Sequence, residues 1–249
     1  MSYKKEKTDG YLTVIGANSD IARQFVSDFS CRYSRITLAS RDTESLESFC
    51  REKNLPDCVI KRLDITQNSE TESFFEEEKC PDAVLFCAGH IEYKDGSEDN
   101  SADNIEKTAR INFEGAVRII ERYAEMMSEA GKGKIVILSS CAGDRGKYSN
   151  RIYSASKAAL NVYAQGLMCK YGESPCIHLV KLGRVRTKML KKAGTASVKF
   201  ACDPSEVSEH IDKILRKDKS TVSYCSAYWR FIGFAVRIIP GFIFNRLDL

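Results

Sequence analysis

Tyr11-Leu-Thr-Val-Ile-Gly-Ala-Asn-Ser-Asp-Ile-Ala22 decides the fold. Its first five residues are aromatic, aliphatic or β-branched, the composition of a buried strand. Gly16 and the small residues after it read as a turn, and 19–31 as a helix. A strand that feeds a helix through such a turn presents free backbone N–H groups at the positive end of the helix dipole. That end can hold a dinucleotide pyrophosphate. Gly16, Asn18, Ser19, Asp20 and Ile21 are the residues placed to line it. The loop holds a single glycine, so composition alone leaves an ordinary strand-to-helix turn open.

The pattern repeats outward. Strands are expected at 35–40, 58–63, 83–87, 134–139, 177–181 and 221–225, with helices at 43–53, 102–130 and 153–171. Strands alternating with helices imply a parallel sheet covered on both faces, with ligands at the carboxyl ends of its strands. The expected fold class is α/β: a single-domain Rossmann fold, a doubly wound parallel sheet over 1–228, plus an amphipathic C-terminal tail over 229–249. At 249 residues, 43% apolar and 29% charged, the chain can bury one large core. A net charge of +4 spread along the sequence does not describe a nucleic-acid binder. Ten cysteines behind a polar N-terminus read as reduced thiols of a cytoplasmic protein. With no Cys-x-x-Cys pair and three dispersed histidines, no metal site is expected.

Tyr153-Ser-Ala-Ser-Lys157 lies on the expected 153–171 helix. Residues four apart share a helix face, so phenol and ammonium can share a site. A free Tyr, with a pKa of about 10, is a poor acid at neutral pH. A nearby cation favours the phenolate; reaching about 7 requires roughly 4 kcal/mol. Such a phenol would suit proton donation to a carbonyl oxygen.

Taken in order, these segments resemble the short-chain dehydrogenase/reductase family over nearly the whole chain. The usual Thr-Gly-x-x-x-Gly-x-Gly loop appears with Ile15, Asp20 and Ala22 in place of the Thr and the later glycines. Asp64, with Ile65 after it, matches the aspartate that contacts adenine. Phe86-Cys87-Ala88-Gly89 resembles the Asn-Asn-Ala-Gly turn without its asparagines. Asn112 matches the asparagine of the long helix, and Ser140 precedes Tyr153 at the family spacing. Leu182-Gly183-Arg-Val185-Arg-Thr187 resembles the Pro-Gly-x-x-x-Thr turn, which would place Gly183, Val185 and Thr187 at the nicotinamide end. The resemblance implies hydride transfer between nicotinamide and a carbonyl or alcohol carbon. Tyr153 would be the proton donor and Lys157 would lower its pKa and hold the nicotinamide ribose. Ser140 would polarise the carbonyl and Asn112 would hold a relay water. It also implies a homo-oligomer.

Cofactor choice follows from charge. An NAD site places an acid at the end of the second strand, where this chain has Ser40 and then Arg41. An Arg suits a 2′-phosphate, so NADP(H) is expected over NAD(H), with Asp42 pointing away.

The stretch 140–151 should wall the substrate cleft, with His90, Arg145, Lys147 and Arg151 as candidate substrate contacts, the last three suited to a phosphate on the substrate. A solvent-facing basic loop is the alternative. Ala142-Gly-Asp-Arg-Gly146 resembles the decaprenylphosphoryl-2-keto-erythro-pentose reductase branch, which implies a keto sugar on a polyprenyl phosphate and a role in cell-envelope polysaccharide synthesis. The tail mixes aromatic and aliphatic residues with Arg230 and Arg237, and Pro240 should interrupt it. It suits peripheral contact at the inner membrane face, a subunit interface or a cap over the substrate pocket. A soluble ketoreductase of a sugar nucleotide or acyl substrate, and a cofactor-sensing protein without turnover, remain as rival functions.

Overall fold

The computed structural model describes residues 10–55, 58–94, 97–192 and 200–244. The polar N-terminus before residue 10 and the last five tail residues, 245–249, lie outside the described residues. Seven strands form one parallel sheet: β1 (Gly10–Ile15), β2 (Tyr33–Ser40), β3 (Cys58–Arg62), β4 (Ala83–Phe86), β7 (Lys134–Ser140), β8 (Cys176–Leu182) and β9 (Thr221–Tyr224). Two-residue strands β5 (Tyr93–Lys94) and β6 (Ser97–Glu98) make a separate antiparallel ribbon. The sheet order is β3-β2-β1-β4-β7-β8-β9. The chain therefore winds outward from β1 to β3, then restarts at β4 on the other side of β1. That reversal opens a crevice at the strand ends.

Successive strand side chains point to opposite faces, and here both faces are covered. Leu85, Val136 and Leu138 enter one core with residues of α1 (Asp20–Phe29), α2 (Thr43–Lys53) and α8 (Pro204–Leu215). Val84, Phe86, Ile135 and Ile137 enter the other with residues of α3 (Asn68–Glu76), α5 (Gly115–Glu129) and α6 (Arg151–Tyr171). This is why β4 and β7 read as nearly unbroken apolar runs.

The expected helix over 102–130 is present, but its middle differs. α4 (Ala102–Ala109) and α5 are joined by a π turn, Arg110–Glu114, which contains Asn112. A Cβ at Gly115 would stand 2.4 Å from the Ile65 carbonyl oxygen, so the helix presses on the end of β3 here. The wider turn sits at that contact; such turns often mark functional positions.

The tail begins inside α9 (Ala227–Ile238), which Ser226 caps, and continues through Pro240 into α10 (Gly241–Phe244). Trp229 belongs to the first core, and Gly183 makes room for it, since a Cβ there would lie 2.1 Å from the indole ring. Arg237 reaches inward. The Asp144 carboxylate, buried after β7, accepts from Lys181 Nζ, from Arg237 Nη2 at 2.6 Å and from the Tyr224 hydroxyl at 2.8 Å. Burial raises the Asp144 pKa, but these three hydrogen bonds outweigh it and hold the group below its ordinary value. The outer face of α9 and α10 leaves Phe231, Phe234, Ile238, Phe242 and Ile243 exposed. Among the described residues, no helix is long and apolar enough to cross a membrane.

Candidate active site

Two adjoining clefts open at the carboxyl ends of the strands, of about 310 Å³ and about 270 Å³. The first is lined by Gly16, Asn18, Ser19, Asp20 and Ile21 from the β1–α1 turn, by Ser40 and Arg41, and by Asp64 and Ile65. Cys87, Ala88, Gly89, Lys157 and Thr187 complete its wall. The second is lined by Ser140, by Lys147 and its neighbours, by Gly183, Arg184 and Val185, and by Trp229. Tyr153 lines both, as do Ser139, Leu182 and Thr187. Residues far apart in sequence thus meet at one seam.

The floor of the first cleft depends on Gly16. Its φ of +76° lies in the left-handed region, and a Cβ would meet the Ala88 nitrogen at 2.6 Å. Asn18 donates to the Ser40 hydroxyl (2.9 Å) and to the Asp42 carbonyl (2.7 Å), fixing the end of β2. Asp42 turns away to cap α2 by accepting from the Ser45 N–H. Asp20, which replaces a family glycine, accepts the Lys188 N–H at 2.6 Å and so ties α1 to the start of α7 (Lys188–Lys192).

At the seam, Lys157 Nζ lies 5.8 Å from the centre of the Tyr153 ring. Burial pushes the Tyr153 phenol above its ordinary value, and the Ser140 hydroxyl opposes this as a hydrogen-bond partner. The expected lowering of Tyr153 by Lys157 is not found: desolvation raises the phenol, and the opposing influence comes from Ser140. Burial instead brings Lys157 down to about 8, opposed only weakly by Cys87. Only 4% exposed, its ammonium donates no hydrogen bond among the described residues. We expect kcat/KM for the cofactor, which reports the free enzyme, to fall as pH rises through about 8. A folded value below the unfolded one makes this group's contribution to stability rise with pH from about 8 to about 10, so the loss is not unfolding. A flat profile from pH 7 to 9.5, with the melting temperature followed in parallel, would refute it.

Several expected contacts lie elsewhere. Asn112 is fully buried; its amide donates to the His90 carbonyl (2.8 Å) and Ser156 hydroxyl (2.9 Å) and accepts from the His90 N–H (2.7 Å). It lines neither cleft and acts as a brace between the Gly89 turn and α6. His90, held by Asn104, also faces neither cleft. Arg145 is drawn to the tail, where it donates to the Val236 and Ile239 carbonyls and covers the Phe244 ring. Arg151 is exposed and donates to the Tyr148 carbonyl. Lys147 alone of these four lines the second cleft. Gly183 and Val185 line the second cleft, not the first, because Trp229 covers Gly183.

Glu98 was not legible in the sequence. Its carboxylate, in a residue 2% exposed on β6, accepts from the N–H groups of Ile152 (2.9 Å) and Tyr153 (2.7 Å). It therefore caps the helix that carries Tyr153, where an anion also suits the dipole. A Glu in a short polar ribbon has no local signal for this, since its partners lie more than fifty positions away. Glu98→Ala should lower kcat about tenfold and stability by about 1–3 kcal/mol, leaving the cofactor KM within twofold. An unchanged kcat would show that the cap does not position Tyr153.

A neutral or basic β2 end, an open turn at Gly16 and a buried ammonium without an acceptor fit a nicotinamide dinucleotide in the first cleft. A dinucleotide crevice beside Ser140, Tyr153 and Lys157 defines an oxidoreductase of the α/β type. The chain belongs to the short chain dehydrogenase family, whose sequence profile matches residues 11–197. An oxidoreductase of Streptomyces coelicolor is 32% identical over 142 residues, 57% of this chain and 55% of that one. A short chain dehydrogenase from Burkholderia cenocepacia, solved in complex with NADP, superposes with a TM-score of 0.81 at 16% identity. That match covers 96% of this chain and 98% of the other. A 3-oxoacyl-(acyl-carrier protein) reductase from Brucella melitensis, solved with bound NAD, gives 0.74 at 21% identity over 90% and 92%. The two structures share this fold.

Proposed function

We propose that this chain is an NADP(H)-dependent reductase of a ketone on a sugar. The observation that carries the reading is Tyr153 on the seam of two clefts, with Lys157 on one side and Ser140 on the other. The dinucleotide, when bound in the first cleft, supplies the hydride. Tyr153 gives its proton to the oxygen of the reacting carbonyl as charge develops there. Its raised pKa keeps that proton in place at neutral pH. The Ser140 hydroxyl orients the same oxygen, and its backbone carbonyl is held by Asn161 Nδ2 at 3.3 Å. The Lys157 ammonium holds the ribose hydroxyls. Arg41, at the open end of β2, binds a 2′-phosphate, with the Asp42 carboxylate turned away to cap α2.

A finer reading places the ketone on a polyprenyl phosphate in cell-envelope polysaccharide synthesis, with the exposed apolar face of α9 and α10 lying against a membrane surface. The alternative is a soluble ketoreductase acting on a sugar nucleotide or acyl substrate. NADPH oxidation against a panel of keto sugars, free and carried on a lipid phosphate, tests both; no turnover across the panel would reject the reading. Arg41→Ala should raise the NADPH KM about tenfold and leave the NADH KM within twofold. A wild-type preference for NADH would overturn the cofactor assignment.

A further inference from the structure

The second cleft carries two cations, Lys147 and Arg184, and no carboxylate among its described lining residues. Neither cation lines the first cleft, so they are not part of the site for the cofactor's own phosphates. They come from two different segments. Lys147 lies between Ser140 and α6, and Arg184 lies just past β8. They are close enough for Arg184 to disfavour the charge on Lys147.

The loop between Ser140 and Tyr153 has three cations and one acid, and the fold sorts them. Arg145 is bound to the end of α9, and Arg151 lies on the outer surface against Tyr148. Asp144 is engaged by Lys181, Arg237 and Tyr224 and faces away from the cleft. Lys147 is the cation left on the cleft wall, and it makes no hydrogen bond or ion pair among the described residues. Burial holds its pKa below the ordinary lysine value, opposed by Cys141, with Arg184 adding a smaller lowering effect. A half-buried ammonium with no partner among the described residues gains from an anion held beside it.

We propose that the substrate carries a phosphate group, which Lys147 and Arg184 bind in the second cleft while its carbonyl lies between Tyr153 and Ser140. A phosphate monoester, with a charge of about −1.5 to −2 at pH 7, matches two cations better than a single carboxylate does. Tyr93 and Trp229 supply flat walls for the body of the same substrate. The proposal rests on the carbonyl-reductase reading for the placement of the ketone, but the phosphate site is tested without turnover.

Trp229 is the only tryptophan and lines this cleft, so its fluorescence reports occupancy. The full chain is titrated, with NADP⁺ present to fill the first cleft, with ribulose 5-phosphate, neutral ribulose and farnesyl phosphate. Saturable responses are expected from at least one phosphate and not from ribulose. Lys147→Met should weaken phosphate binding about tenfold or more, and Lys147→Arg should stay within about threefold of the wild type. Tighter binding of farnesyl phosphate assigns the group to a lipid carrier; tighter ribulose 5-phosphate assigns it to a free sugar phosphate. Ribulose binding as well as its phosphate, or Lys147→Met leaving both phosphates unaffected, overturns the proposal. Phosphate binding through Lys147 in a protein that never oxidises NADPH would keep the site and reject the reductase reading.

Discussion

Tyr153→Phe should lower kcat for carbonyl reduction by about a hundredfold to ten-thousandfold while cofactor affinity changes less than threefold. The seam of the two clefts is where a carbonyl held in the second can face a nicotinamide held in the first, and Tyr153, the proposed proton donor, lines both. A positioned general acid contributes roughly 10² to 10⁴ in rate, or about 3–5 kcal/mol of barrier. Phe keeps the ring, its packing beside Lys157 and the Glu98 cap on the backbone N–H; it removes only the hydroxyl. The fold should therefore survive, and the loss should appear in single-turnover NADPH oxidation. A kcat within tenfold of the wild type would mean that the proton comes from elsewhere.

Asp144→Ala should destabilise the protein by about 3–5 kcal/mol, the range for removing one partner of a buried charge pair. The side chains of Asp144 and Lys181 are 2% and 4% exposed, so the lysine would be left charged and uncompensated. For a domain of this size that corresponds to a fall in melting temperature of roughly 6–20 °C. Arg237 and Tyr224 would lose the same acceptor, and α9 one of its polar ties. Because the folded pKa of Asp144 is depressed, its stabilisation is present above the ordinary carboxylate range and is lost as pH falls through the folded value. The gap between wild type and variant should thus be full at pH 7 and shrink in strong acid. Equal melting temperatures at pH 7 would show that the cluster holds nothing.

Much of the sheet was legible because its signals are local. Val-, Ile- and Leu-rich runs bounded by polar turns mark β1, β2, β4, β7 and β8 to within a few residues, and Pro240 ended the tail helix as expected. The order Gly16, Asp64, Ser140, Tyr153 and Lys157 was legible through the family resemblance, which fixes their sequence along the chain rather than any one local pattern. The capping box that starts α8, Asp203 with Glu206 and Pro204 at the first turn, was also local and could have been read. Asn112 was legible as a position but not as a contact. Its amide is saturated by His90 and Ser156, which meet it only when the long helix lies against α6.

The sequence by itself determined the alternation of strands and helices, the strand-end turn at Gly16 and the Tyr153–Lys157 face, because periodicity and turn chemistry act over a few residues. Only the tertiary structure decided where the charges went. Arg145, Lys147 and Arg151 are near neighbours in one loop, yet one grips the tail, one lines the cleft and one faces outward. Glu98, Asp144 and the fully buried Glu78 carboxylate, which gathers the hydroxyls of Tyr11, Thr13 and Tyr123, look like surface acids in the sequence. A charge is placed by the partners that can satisfy it after burial, and those partners are brought together only by the packed fold.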